Sequence, residues 1–147
     1  MKLTIPSIHR RLLEIKWQFG LKSRLKDNRS RGWYGEWLAR SFLKAKSYSV
    51  IRRNWRSHLD RRREIDLICL DQECLVFVEV RFRSSRSLNG GYHSLSKKKK
   101  KTLLTGCKDF LRLNRDRYPS YRFDVIEVDY DDHSSRLFHH ENVSLFQ

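Results

Sequence analysis

No apolar run in this sequence approaches 18 residues, so no segment has the length and hydropathy of a membrane-spanning helix. The first twenty residues are interrupted by His9, Arg10, Arg11, Glu14 and Lys16. That pattern lacks the continuous apolar segment of a secretion signal, and the cytoplasm is the expected compartment. Cysteine is scarce: Cys69, Cys74 and Cys107 are odd in number and widely spaced. They fit neither a disulfide framework nor a C-x-x-C zinc pattern, and are expected as free, buried or half-buried thiols. The six histidines (His9, His58, His93, His133, His139 and His140) show no metal-ligand spacing. G-x-S-x-G, P-loop and Rossmann motifs are absent, as are internal repeats.

What the chain does have is aromatic mass and positive charge. Its 147 residues include four Trp, six Tyr and eight Phe, enough ring area for one moderate globular core. The net charge is +15, unevenly spread. Residues 1–63 carry a net +14, residues 64–80 a net −5 with no lysine or arginine, residues 81–117 a net +10, and residues 118–147 a net −4. A basic surface is the footprint of a polyanionic partner. Solubility alone accounts for the bases, but not for a compact acidic stretch among them.

The apolar pattern predicts the order α-α-β-β-β-α-β. Ile8, Leu12, Ile15 and Phe19 recur at helical spacing in a first helix. A basic linker follows at 20–32. A second helix runs from about Trp33 to Lys46, with Trp33, Trp37, Leu38, Ser41 and Phe42 expected on its buried face and Glu36 one step round. Residues 48–55, 64–70 and 74–82 read as strands, the last two joined as a hairpin through Asp71-Gln72-Glu73. Residues 83–91 read as a loop. A long helix from about Ser94 to Arg115 and a strand at 121–130 complete the pattern. The expected organisation is a basic helical extension (1–30), a main domain (31–130) and a C-terminal tail (131–147).

The sharpest chemistry lies in the hairpin. Alternation places Glu64, Asp66 and Ile68 on one face of their strand, and Glu79 with Arg81 on one face of the next. If Leu70 pairs with Leu75, Asp66 lies opposite Glu79, with Cβ atoms about 5 Å apart. Two carboxylates that close need a cation between them or a proton on one. Oxygen-only ligands suit Mg²⁺ or Mn²⁺. Arg81 adds a fixed positive charge, completing a set suited to phosphodiester hydrolysis. The plainer reading is that both acids pair with nearby arginines. Beside the hairpin, the run Lys97, Lys98, Lys99, Lys100 and Lys101 at a helix start is a candidate phosphate grip, with Arg83 next to it. Arg52, Arg53 and Arg56 around Trp55 are candidate contacts to unpaired bases.

Asp66, Glu79, Val80 and Arg81 match the D…(D/E)-x-K motif of the restriction-endonuclease-like superfamily. More closely, residues 30–130 resemble the YraN family, a bacterial group placed in that superfamily. The likeness rests on Gly32, Gly35, Glu36 and Ala39 as G-x-x-G-E-x-x-A, on Tyr48 to Asn54, and on Glu64 to Ile68. It continues through Phe77 to Arg83, Lys99, and Arg122 to Val125. The resemblance implies a restriction-endonuclease-like α/β fold with a mixed central sheet flanked by helices. It further implies a metal held by Glu36, Asp66, Glu79 and the Val80 carbonyl, with Arg81 and Lys99 assisting catalysis. Asp124 matches a recurrent family position. Two positions depart from the pattern: Arg63 stands where a glycine usually precedes E-I-D, and Arg81 stands in place of the motif lysine. Arginine stays protonated and cannot serve as a base. The expectation is a Mg²⁺- or Mn²⁺-dependent nuclease acting on nucleic acid, DNA before RNA, with a homodimer by analogy and no membrane. The alternative is a nucleic-acid-binding module that keeps the fold without cutting.

Overall fold

The computed structural model describes residues 5–21, 25, 27–84, 95–114, 117–130 and 134–145. Its elements are α1 (Ile5–Gln18), α2 (Asn28–Ala45), β1 (Ser49–Arg56), β2 (Glu64–Asp71), β3 (Cys74–Ser84), α3 (Lys97–Leu113), β4 (Ser120–Tyr130) and β5 (Ser135–His140). The expected order is reproduced, with one strand added at the end. Most of the loop expected at 83–91 lies outside the described residues, whereas Arg83 and Ser84 extend β3. Among the described residues no helix is long and apolar enough to cross a membrane.

The five strands lie in the order β1-β2-β3-β4-β5. The pairs β1/β2, β2/β3 and β4/β5 are antiparallel, and β3/β4 is parallel. A parallel pair needs a crossover, and α3 supplies it. The result is a mixed sheet flanked by helices, consistent with the restriction-endonuclease-like fold.

β3 is apolar at consecutive positions because both its faces are covered. Leu75 and Phe77 pack with Leu103, Cys107 and Phe110 of α3. Val76 and Val78 pack with Ala39 and Leu43 of α2. By alternation Glu79 continues the Leu75–Phe77 face, so the carboxylate emerges where the apolar layer under α3 ends. The hairpin closes more tightly than the connection expected through Asp71, Gln72 and Glu73. Asp71 pairs with Cys74, leaving Gln72 and Glu73 at the turn, with Gln72 at φ 53°. Leu70 still pairs with Leu75, so the register is unchanged.

Both N-terminal helices are rotated from the sequence expectation. On α1, Ile8, Leu12, Ile15 and Phe19 are all exposed, Phe19 at 78%. The inward face is Arg10, Leu13, Glu14 and Trp17. Trp17 packs against Tyr34 and Trp37, and the charged pair enters an ion-pair network. On α2 the buried residues are Tyr34, Gly35, Ala39 and Leu43, about one position from the expected stripe. The small residues set this rotation. A Cβ on Gly35 would meet Cδ2 of Phe82 at 2.9 Å and its Cβ at 3.3 Å, so only glycine lets α2 settle here.

The tail holds β5, whose pattern the sequence reading left unassigned. Asp124 of β4 anchors it. The buried carboxylate accepts hydrogen bonds from Arg122 Nε (3.1 Å), from Asn142 N–H (2.9 Å), and contacts His139 Nε2 at 2.9 Å. All three cysteines are free, and burial pushes the Cys69 and Cys107 thiols up to about 12.

Two glycine substitutions test the helix seating. Gly32 has nothing within 4 Å of a new Cβ. Gly32→Ala is expected to stabilise by up to about 1 kcal/mol through helix propensity. Gly35→Ala is expected to destabilise by about 1–2 kcal/mol despite the same propensity gain, because Phe82 is fixed in the sheet. Urea unfolding of both variants measures the difference, and equal shifts would show that α2 is not held this closely.

Candidate metal and nucleic-acid site

Asp66 and Glu79 come together as the register requires. The β2/β3 ladder pairs Leu67 with Val78, and one residue further the same register sets Asp66 opposite Glu79. The Val80 N–H donates to Asp66 Oδ2 at 2.8 Å, tying the two strands together at this point. Glu79 is only 4% exposed, and Lys99 Nζ of α3 lies 3.0 Å from its Oε1. The other oxygen, Oε2, is buried without a hydrogen-bond partner in the structure.

The electrostatics are those of a crowded acidic pair. Burial pushes the Asp66 carboxyl well above its ordinary range, and the neighbouring Glu79 charge adds to the shift. Glu36 contributes a smaller repulsion, opposed by the Val80 N–H and the Lys99 charge. Burial also raises Glu79, with Lys99 and Arg81 pulling the other way. The pair therefore presents closely spaced carboxylate oxygens short of positive charge, with a hydrogen bond between the two side chains offsetting part of the repulsion. That donor set fits a hard divalent cation.

Glu36 is drawn elsewhere. Its Oε2 accepts from Arg10 Nη2 at 2.8 Å and from Asn54 Nδ2 at 2.9 Å. Among the described residues no three His, Cys, Asp or Glu side chains are grouped to share one ion. The Glu36–Asp66–Glu79 trio expected from the sequence is thus a proximate pair with a third acid held by α1 and β1. Asn54 sits in β1 with φ 46°, a left-handed conformation that asparagine tolerates. Neither Arg10 nor Asn54 was among the sequence candidates. An asparagine, a residue depleted in strands, inside the expected strand at 48–55 was the available signal for Asn54. Arg10 had none, because its helix was read the other way round.

The remaining candidates divide. Arg81 is half-buried on β3, in register with Glu127 of β4, and its charge reaches Glu79. Glu127 is itself buried, an acid the sequence reading did not select; Arg83 Nη2 lies 4.0 Å from its Oε1. Lys97, Lys98 and Lys101 are exposed in the first turns of α3, with Lys99 and Lys100 half-buried. Arg53 pairs with Glu14, and Arg56 with Glu64 at 2.7 Å, so both have structural partners. Arg52 is exposed and donates to the Ile51 carbonyl at 2.9 Å. Arg63, at the glycine position of the motif, reaches α3 instead: its Nη1 lies 2.8 Å from Asp109 Oδ2, which also accepts from Ser57 Oγ at 2.6 Å.

The fold and this acidic pair define the class: a mixed α/β domain with two carboxylates on adjacent strands and a lysine delivered by the crossover helix. Residues 35–128 match the model of the uncharacterised protein family UPF0102, and the chain belongs to that family. It is 37% identical over 102 residues to a UPF0102 protein of Chlorobium limicola, covering 69% of this chain and 77% of the relative. A UPF0102 protein of Psychromonas ingrahamii is 37% identical over 105 residues, 71% and 83% of the two chains. One from Carboxydothermus hydrogenoformans is 33% identical over 117 residues, 80% and 97%.

An acid whose pKa rises on folding lends most stability below its unfolded value. That contribution is lost as pH climbs through the folded value. Asp66 should therefore cost stability at neutral pH. Asp66→Asn, which keeps an oxygen for the Val80 N–H, is expected to be more stable than the parent by about 0.5–2 kcal/mol at pH 7.5. The gap should shrink toward pH 4. Urea titrations at the two pH values provide the comparison, and a gap independent of pH would contradict the assignment.

Proposed function

We propose that this protein is a Mg²⁺- or Mn²⁺-dependent hydrolase of nucleic-acid phosphodiesters, acting on DNA in the cytoplasm. The observation that carries the reading is the pair of half-buried Asp66 and buried Glu79 with Lys99 Nζ at 3.0 Å from Glu79, set in a chain of net charge +15. Membership of the restriction-endonuclease-like nuclease superfamily is part of the same reading. Asp66, Glu79 and the Val80 carbonyl would hold the metal. When bound, it supplies a lowered pKa for an attacking water and charge to clamp the phosphate.

The chain's own groups divide the remaining work. Arg81 keeps its proton and offsets negative charge on the phosphate oxygens. Lys99 hydrogen-bonds Glu79 from outside the strand, with 36% of its side chain exposed, so the amine can also orient a water. Glu36, with Oε2 committed to Arg10 and Asn54, acts on Asp66 through its charge. Lys97, Lys98, Lys100, Lys101 and Arg52 supply sequence-independent contacts to phosphate. Superfamily members that handle two strands often pair, and a homodimer suits this role by analogy.

A second reading has its own support. The occupied Glu36 and the arginine at position 81 suit a binding module that holds nucleic acid without cutting it.

Single-stranded, duplex and four-way-junction DNA, incubated with Mg²⁺, Mn²⁺ or EDTA, separates the two. Metal-dependent cutting is expected, reduced about 100-fold or more by Asp66→Ala and by Glu79→Ala, and also by Lys99→Ala. Tight binding that weakens steeply with salt, without cleavage, selects the module. Neither binding nor cutting would remove both readings.

A further inference from the structure

The first turn of α3 breaks a local rule of helix electrostatics. A helix N-terminus carries partial positive charge, and acids favour it while bases oppose it. Here five lysines, Lys97 to Lys101, open the helix, and no acid lies in the first turn. Like charges stacked on a positive helix end are costly unless an anion sits among them.

The structure has a cavity at this place. A pocket of about 530 Å³ is lined by Asp60, Arg62, Arg63, Lys98, Lys99 and Lys101, with Ser96, Thr102 and Thr105. Three of its five cations are already matched. Arg62 pairs with Asp60 at 3.0 Å, Arg63 with Asp109 at 2.8 Å, and Lys99 with Glu79 at 3.0 Å. Lys98 and Lys101 make no ion pair among the described residues, so the pocket retains two positive charges. Its hydroxyls do not compete for cations: Thr102 and Thr105 donate to the Lys98 and Lys101 carbonyls at 3.0 and 2.8 Å. Ser96 Oγ accepts from the Lys99 N–H and the Ser96 carbonyl from the Lys100 N–H, while the Lys97 and Lys98 amides have no partner within the helix.

We infer that this pocket binds a phosphomonoester dianion. Such a group carries between one and a half and two negative charges near neutral pH. Two unmatched ammonium groups beside the N-terminus of α3 complement it. A backbone phosphodiester carries only one charge and would leave one of the two ammonium groups unmatched. Resting on the nucleic-acid reading above, the source of the phosphate is the end of a strand. Lys99 lines the pocket and also touches Glu79, so a seated end lies beside the acidic pair.

Two measurements on the full chain in EDTA test this, neither depending on cleavage. In the first, inorganic phosphate at constant ionic strength is titrated against the amide resonances of residues 97–105. Saturable shifts are expected, and they should vanish in the Lys98→Ala/Lys101→Ala double variant, whose helix propensity is preserved. In the second, the anisotropy of a labelled ten-nucleotide strand is compared for 5′-phosphate, 3′-phosphate and hydroxyl ends. One phosphorylated end is expected to bind about tenfold tighter, and the double variant should lose that preference. Equal affinity for all ends overturns the inference, as does a preference that survives in the double variant or an absence of phosphate-induced shifts. Phosphate shifts without any strand binding would support the pocket as a phosphomonoester site and defeat the nucleic-acid reading instead.

Discussion

The structure turns on the cost of setting two carboxylates side by side on adjacent strands, one half-buried and one buried. Asp66 and Glu79 face each other because the hairpin register leaves no alternative. A one-residue slip would move every side chain of the hairpin to the opposite layer, turning Phe77 from α3 toward α2 and Glu79 away from Lys99. The apolar strand thus fixes the position of the acids, and the acids add unfavourable charge to the edge of the core. The Val80 N–H and the Lys99 ammonium offset part of that cost and leave one Glu79 oxygen unmatched. Proteins carry such local conflict chiefly where chemistry requires it.

The N-terminal helix belongs to the same electrostatic system. Glu14 receives Arg40 of α2 at 2.9 Å, Arg53 of β1 and Arg10 of its own helix, while Arg10 bridges to Glu36 and Asn54. Burial of Glu14 works against its charge, but the arginines around it win and hold its carboxyl below the ordinary value. This network explains why α1 turns its charged and aromatic side inward. Arg10, Glu14 and Trp17 gain ion pairs and ring contacts on α2, whereas Ile8, Leu12, Ile15 and Phe19 would have displaced them for area alone. The matched family region begins at Gly35, so the residue that clamps Glu36 comes from outside the segment that defines the family.

What could be read in advance follows from which signals are local. The strands of the hairpin, the crossover helix and the opposition of Asp66 to Glu79 all follow from alternation and a short turn. The free cysteines follow from spacing. The facing of α1 was misread because the hydrophobic stripe assumes that the apolar side is the buried one. Here long-range pairs between residues 26 to 44 positions apart decide it, and no local pattern encodes them. The expected stripe of α2 missed by one position because Gly35 and Ala39 bury backbone rather than side chain. β5 escaped because it is short and weakly patterned; Asp124, which matched a recurrent family position without an assigned role, proves to be the buried carboxylate that ties the C-terminal segment to β4.

The exchange of lysine for arginine at position 81 acquires a physical meaning in this setting. A lysine there would bring a titratable amine to the acids from their own strand. Arg81 brings a permanent charge instead, half-buried and in register with the buried Glu127, while Arg83 approaches that same glutamate. Acids and guanidinium groups thus sit together along one face of β3 and β4, with Arg81 supplying a fixed charge among them. The titratable amine next to Glu79 comes from Lys99, across the layer from α3. Placing it on a separate element lets its position depend on how α3 packs. The Arg63–Asp109 bridge joins α3 to the turn before β2, so the residue that departs from the usual glycine helps set where that lysine stands.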